Sequence, residues 1–401
     1  MNILFLSELF YPHGGGAELA TYLYAKLLAE AKTDVVVITN RFVGEPEFSF
    51  NEGFKVYRLP LFDRTENVKY SILKRVDVLF SSFMRKWIKW ADVVYVPRFW
   101  FSAIPLAKAY KKPVIVHLHD YIPICPLATF YNFKEDRVCD HAFCSVDCIY
   151  RGERRKRGLL KSAGSTFLNM SVWRFLRKCI SQADAVICVS KAQRNILAKS
   201  APWLAPKLRV IYNPLPPLSP WPINGDYFGY FGGTSYVKGF NVLLRALEYR
   251  KLQGHKSIFV YGTKFSSVGQ HFINYLRHIG FLANSKLSLC DYERVYSKIK
   301  AVIVPSIWQE PLPYIVSEAL LRGRLVIASK TGGIPELLGD CKGAFMINLG
   351  EYKQLAELLD YVSAMSKSYA TELGLENRQV FLDRFSKHSP LKEFFGILSD
   401  V

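Results

Sequence analysis

The chain has 401 residues, half of them hydrophobic, and 53 Lys and Arg against 34 Asp and Glu give it a formal net charge of +19. That length and apolar content predict two or three folded domains and exclude a disordered chain. The charge predicts a surface that draws anions, whether nucleic acid, acidic lipid headgroups or a nucleotide-sugar, without choosing among them. The opening Met1-Asn-Ile-Leu-Phe-Leu-Ser-Glu has no basic lead and too short an apolar run for a secretory signal, and no stretch approaches the roughly 18 apolar residues of a membrane span. A cytoplasmic protein is expected.

In chain order, Ile3 to Ser7 reads as a buried strand, Glu8 to Glu18 as a loop containing Gly14, Gly15 and Gly16, Leu19 to Ala31 as a helix, and Val35 to Thr39 as the next strand. This is a βαβ unit with a glycine turn at its first crossover. The turn lacks the G-x-G-x-x-G spacing of a dinucleotide fingerprint; its glycines make either a flexible turn or a backbone approach that any Cβ would block. Further strands are predicted at Lys55 to Leu59, Val93 to Val96, Pro113 to Leu118 and Ala185 to Val189. Alternation of this kind predicts a doubly wound α/β domain. The strand at 113–118 ends in His119-Asp120, at the edge where such sheets bind ligands, with a hydrogen-bonded structural histidine as the alternative.

Cys125, Cys139, Cys144 and Cys148 follow, with His141 and Asp147 among them. Their spacing does not match the paired C-x-x-C of a strong zinc site. A structural zinc, one or two disulfides, and unbridged thiols remain as alternatives, with a cytoplasmic setting weighing against disulfides. Two basic stretches are interleaved with aromatics: Phe83 to Trp90, with Arg85, Lys86 and Lys89, and Arg151 to Leu176, with Arg154, Arg155, Lys156 and Arg157. They have the composition of elements that meet an anionic membrane surface, and a solvated basic face over core aromatics is the alternative.

The proline-rich run Pro214 to Pro222 can neither join a sheet interior nor continue a helix, which predicts a linker over 214–224. Tyr227 to Phe231 is then a strand, followed by Gly232-Gly233 and by Lys238 at the start of an amphipathic helix. Such a corner can receive a phosphate, with Lys238 either supplying a point charge or simply solvated. Ser257 to Gly262, Leu287 to Leu289 and Ala301 to Pro305 read as further strands. Pro311 and Pro313 forbid a continuous helix and so place Glu310 on a loop; Pro313 starts a short helix in which Glu318 lies one turn in and which Gly323 closes. The amides of Tyr314, Ile315 and Val316 are candidates for a diphosphate, and the two carboxylates for hydroxyl groups on either side of it. A solvated loop acid and a capping acid are the alternatives. Leu325 to Ala328 and Thr331-Gly-Gly-Ile-Pro-Glu336 add a strand and a second glycine turn into a helix, and Asn377 to Phe385 and Pro390 to Leu398 are helix candidates.

Glu310 and Glu318, with seven residues between them and followed by Gly-Gly-Ile-Pro-Glu, resemble the signature of the retaining glycosyltransferases of family 4. Four more blocks resemble that family in order, namely Pro12 to Glu18, His119-Asp120, Asn213-Pro214 and Gly232 to Gly239, so the resemblance spans nearly the whole chain. It implies the GT-B architecture: α/β, two Rossmann-like doubly wound domains facing across a cleft, with a C-terminal helix crossing back to the N-terminal domain. The expected divisions are an acceptor-side domain at 1–213 with a Cys-rich insert at 125–148, the linker at 214–224, a nucleotide-sugar domain at 225–380, and the returning helix at 381–401. The implied activity is transfer of a hexose from a nucleotide-diphosphate sugar, with retention, to a hydroxyl of a lipid-linked or glycan acceptor at the inner face of a membrane. His119 is then expected to contact the donor sugar near its reacting carbon, Glu310 to hold sugar hydroxyls and Glu318 the ribose. Gly15, Gly16, Gly232, Gly233, Lys238, Pro313, Tyr314, Ile315 and Val316 are expected to line the donor. Gly233 stands where the family has an arginine, which leaves Lys238 more of the neutralisation. No Asp-x-Asp occurs in the sequence, so no catalytic metal and no cofactor is expected, the leaving diphosphate being met by amides, Lys238 and the helix dipole. A nucleotide-sugar epimerase on the same frame is the rival enzyme. A nucleic-acid-binding protein is the rival without activity, and no helix-turn-helix, zinc-finger or RNA-binding signature supports it.

Overall fold

The computed structural model describes residues 1–63, 73, 75–140, 144–262, 268–283 and 289–400, with the backbone alone for 156, 157, 289–291 and 400. The chain divides into two compact units, one formed by Met1–Leu215 with Ser389–Val401 and the other by Pro216–His388.

The first unit holds β1 (Asn2–Leu6), β2 (Asp34–Asn40), β3 (Phe48–Asn51), β4 (Phe54–Leu59), β5 (Val93–Val96), β6 (Val114–Leu118), β7 (Tyr131–Asn132), β8 (Arg137–Val138), β9 (Ala185–Cys188) and β10 (Leu208–Val210). Eight of these form one sheet in the order β10-β9-β6-β5-β1-β2-β4-β3, parallel except for the β3–β4 hairpin at one edge, while β7 and β8 pair separately. Ile3 to Leu6 and Val94 to Val96 are fully buried, as expected of unbroken apolar strands covered by helices on both faces. The helix Gly16–Glu30 supplies Tyr24, Ala25 and Leu28 to the core. The last helix, Pro390–Asp400, adds Phe394 and Ile397 to the same core, with Phe394 against the rings of Tyr24 and Tyr95.

The second unit holds β11 (Tyr227–Tyr230), β12 (Val260–Gly262), β13 (Phe281–Ala283), β14 (Ile299–Val304), β15 (Leu325–Ser329) and β16 (Ala344–Ile347), all parallel, in the order β13-β12-β11-β14-β15-β16. In both sheets the strand order reverses beside the first strand, between β1 and β5 in the first unit and between β11 and β14 in the second. Helices leave to opposite faces at such a reversal and open a crevice at the carboxyl ends of the two strands, which is where doubly wound sheets take their ligands.

Of the expected strand at Leu287 to Leu289, the first two residues lie outside the described ones, as do 284–286, and Leu289 opens the helix Leu289–Lys298. β13, just before the undescribed residues, is entered through Gly280 at φ 85°, a left-handed position that favours glycine.

Candidate active site

In the second unit the crevice lies beyond β11 and β14, and two loops converge there. After β11 the chain turns through Gly232 and Gly233 to Lys238, and Gly239 begins the helix Phe240–Leu252 in a left-handed conformation. A Cβ on Gly239 would stand 1.7 Å from the Pro305 carbonyl oxygen at the end of β14, so only glycine lets the two loops approach this closely. Gly239→Ala is therefore expected to cost about 1–3 kcal/mol, read as a lowered unfolding midpoint, because strain and collision act together.

The approach brings Lys238 to Glu310. Its Nζ lies 2.7 Å and 3.0 Å from the two carboxylate oxygens, and Ser306 Oγ donates to the nearer one at 2.6 Å. Glu310 is buried, while the Lys238 side chain keeps 38% of its exposure and lies over the Trp308 ring. One partner of this ion pair can thus be reached from solvent, and its charge is already desolvated in part. The glycine turn at 331–333 clamps the Glu310 loop from behind. Gly333 N–H donates to the Glu310 carbonyl at 2.7 Å, Gly332 N–H to Gln309 Oε1 at 2.9 Å, and Thr331 Oγ1 to the Trp308 carbonyl at 2.9 Å. The Gly-Gly of this turn is thereby given a structural reason, since a Cβ on Gly332 would meet Glu310 O at 1.9 Å.

The helix expected after Pro313 runs Tyr314–Leu321 with Pro313 as its N-cap. Of its three candidate amides, Val316 N–H donates to the Pro313 carbonyl at 3.1 Å. Glu318 accepts from Tyr292 Oη at 2.9 Å.

In the first unit the polar groups again gather at the reversal. Glu8 follows β1 and Arg98 follows β5, in strands paired Phe5 to Tyr95, so the two lie abreast just beyond the sheet. Arg98 reaches Glu18 at 3.1 Å and Glu8 at 3.5 Å. Glu18 folds back on the glycine turn, accepting from Gly15 N–H at 2.6 Å, and its carboxyl group fills the space a Cβ on Gly14 would need. At Gly14 the missing side chain therefore makes room for the protein's own carboxylate. Gly16 is the first residue of the helix. Glu8 is fully buried; burial foremost, partly offset by Arg98, pushes its pKa up to about 7.

His119 follows β6. Burial first, then His117 and Arg98, hold its pKa well below the ordinary value, so the ring is neutral, and its Nε2 has no hydrogen-bond partner among the described residues. A neutral imidazole suits a sugar hydroxyl. Gln193 fixes the turn carrying it, donating to the carbonyls of Leu118 and Asp120 at 3.2 and 3.0 Å and accepting from Val189 N–H at 2.8 Å. Glu8, Arg98 and Gln193 were not singled out as site residues from the sequence. The signal for the first two was a charged residue one or two positions past an apolar strand.

Cys125 and Cys148 are buried, Cys139 and Cys144 half-buried, all as free thiols. Hydrogen bonding with Cys144 lowers the Cys125 thiol to about 6 and Cys148 to about 7, and raises Cys144 in return. Among the described residues no group of three or more His, Cys, Asp or Glu is arranged to hold a metal ion, and His141 lies outside them. Arg85, Lys86 and Lys89 are exposed on the helix Ser82–Trp90, but Met84, Trp87 and Ile88 of that helix point inward. Arg154 and Arg155 are exposed on the helix Val146–Arg157, and the side chains of Lys156 and Arg157 lie outside the described residues.

Residues 14–217, just over half of the chain, match the model of Glycosyltransferase Family 4, and residues 219–378 match Glycosyl transferases group 1. The chain belongs to glycosyltransferase family 4. As a member it is an enzyme of the glycosyltransferase class with the GT-B type of fold. Among solved structures it is similar to the sucrose-phosphate synthase of Thermosynechococcus elongatus, with a TM-score of 0.67 and 15% identity over 94% of this chain and 93% of that one. It is also similar to Anabaena Alr3699/HepE in complex with UDP-glucose, with a TM-score of 0.63 and 18% identity over all of both chains. A Klebsiella pneumoniae relative, described as an uncharacterized 42.6 kDa protein in cps region, is 23% identical over 84% of this chain and 87% of its own length.

Proposed function

We propose that this family 4 glycosyltransferase moves a hexose from a nucleoside-diphosphate sugar to a hydroxyl of a glycan or lipid-linked acceptor, with retention at the anomeric carbon and without a metal ion. The observation that carries the reading is the Lys238–Glu310 pair at the strand reversal of the second unit. A diphosphate entering there meets Lys238 as a counter-charge, and Glu310 keeps the lysine in place until it does. As the glycosidic bond loosens, negative charge grows on the leaving phosphate, and a cation already oriented stabilises it without reorganisation. Both carboxylate oxygens of Glu310 are engaged by Lys238 or Ser306, which makes this residue a poor nucleophile and favours front-face attack, with the leaving phosphate accepting the acceptor's proton. In the first unit, neutral His119 and the Glu8–Arg98–Glu18 group are the candidates for sugar and acceptor hydroxyls. The UDP-glucose bound by the Anabaena protein supports a nucleotide-sugar donor, and the cps region of the Klebsiella relative supports a polysaccharide product.

A panel of nucleotide-sugars tested by thermal shift is expected to show one donor that raises the unfolding midpoint, since a ligand bound only by the folded state stabilises by mass action. With that donor and an acceptor, transfer is expected to proceed unchanged in EDTA. Loss of transfer in EDTA with rescue by Mg²⁺ or Mn²⁺ refutes the metal-free step. Conversion of donor to an epimer with no acceptor present refutes the transferase reading.

A further inference from the structure

The helix Leu159–Ile180 is turned inside out over its first half. Its inward face carries Ser162, Thr166 and Asn169, all buried, and only later Val172, Leu176 and Ile180. The outward face carries Leu160, Phe167, Leu168 and Phe175, with 97, 70, 48 and 44% of their surface exposed. At 100° per residue these four lie within one stripe opposite the buried one, with Gly164 and Ser171 between them. A helix that met only water would place its large apolar side chains inward, because each one left exposed forgoes about 1.5–3 kcal/mol of burial. The polar inward residues make internal bonds, Ser162 Oγ to the Leu159 carbonyl and Thr166 Oγ1 to the Ser162 carbonyl, so nothing inside the unit asks for the apolar ones.

The charge around the stripe says what covers it. Between 151 and 178 the sequence has nine lysines and arginines and a single acid, Glu153, which is buried. Arg154 and Arg155 are exposed before the start of the stripe, and Arg174 and Lys178 at its far end. The 22-residue helix is about 33 Å long but is not apolar enough to cross a bilayer. An apolar stripe bordered by bases, on a helix that does not span, fits the plane of a lipid surface, with the rings and leucines among the acyl chains and the bases at the headgroups.

We propose that the outward face of this helix docks the enzyme on an anionic lipid leaflet, where Leu160, Phe167, Leu168 and Phe175 insert and Arg174 and Lys178 meet the headgroups. The lipid surface then presents the acceptor, a step that rests on the transferase reading, although the docking itself does not. The full chain is expected to sediment with vesicles of phosphatidylcholine containing phosphatidylglycerol, to bind phosphatidylcholine alone at least about ten-fold less, and to be released in part by high salt. Leu160→Ser with Phe167→Ser is expected to lower vesicle binding about ten-fold or more, and Arg174→Gln with Lys178→Gln by a similar factor. Both variants should keep the wild-type thermal shift with donor, which shows them folded. Equal binding to neutral vesicles, no vesicle binding, or undiminished binding by the serine variant overturns the proposal. So does a dimer of the wild type that the serine variant dissolves, since a second copy would then cover the stripe. Transfer to a soluble acceptor without vesicle binding sinks this inference alone, and vesicle binding with no transfer to any acceptor sinks only the transferase reading.

Discussion

Glu310→Gln is expected to lower glycosyl transfer by about two orders of magnitude or more while moving stability by no more than roughly 1–2 kcal/mol. The asymmetry follows from how the two carboxylate oxygens are used. Ser306 Oγ at 2.6 Å and Lys238 Nζ at 2.7 Å both contact the same oxygen, and the amide carbonyl can take its place and keep the Ser306 bond. The amide nitrogen then falls where the second oxygen now stands, 3.0 Å from Lys238 Nζ, and two donors face each other. The lysine turns toward solvent, and the site loses both its oriented cation and an acceptor for sugar hydroxyls. Because Lys238 is 38% exposed, leaving it without its partner costs the fold little. Initial rates at saturating donor and a thermal melt of the same preparation check both halves, and a near-normal rate would remove Glu310 from the reaction. Lys238→Ala should act differently, weakening nucleoside-diphosphate binding by about ten-fold, while the Gln309, Gly332 and Gly333 bonds keep the Glu310 loop where it is.

That site was legible in the sequence because each part breaks a rule for plain structure. Two prolines around Glu310 end one element and start another, glycines sit where strands end, and a lysine opens an amphipathic helix. The pairing of Lys238 with Glu310 was not legible, since 72 residues separate them and only the strand order sets β14 beside β11. The same holds for Glu8 and Arg98, each an unremarkable charge after an apolar run until β5 is seen to lie next to β1. The β3–β4 hairpin was missed at its outer strand because Phe48–Asn51 is an edge with few buried side chains and so carries little apolar alternation. The inverted helix at 159–180 was visible only as a mixture of bases and aromatics. Composition could not say which side chains face outward, and in this the two basic stretches differ. Trp87 of the first is core, whereas Phe167 of the second is bare.

Glu8→Gln is expected to make the protein more stable at pH 8, by up to about 3 kcal/mol, and to flatten the dependence of its stability on pH. The sign is fixed by the direction of the shift. Burial raises the carboxyl from an ordinary 4.5 to about 7, with Arg98 offsetting part of the rise and Glu18 adding to it. The unfolded chain therefore ionises Glu8 at a lower pH than the folded one does, and between those two values folding takes up a proton. Stability falls as pH rises through that window and stays lowered above it. Below the unfolded value both states are protonated, and the glutamine and wild-type proteins should unfold alike. Arg98 does not lose its charge balance in the variant, because Glu18 still holds it at 3.1 Å. Unfolding midpoints in urea from pH 4 to 8 test the claim; parallel curves for the two proteins, or a less stable variant at pH 8, would show that the carboxylate is compensated by something other than Arg98. A buried acid kept at such a cost, beside Arg98 at the strand reversal, is the pattern of a site where stability yields to chemistry. The same variant should then alter the pH profile of transfer across neutrality while leaving donor affinity unchanged, because the proposed partner of the diphosphate is Lys238 of the second unit.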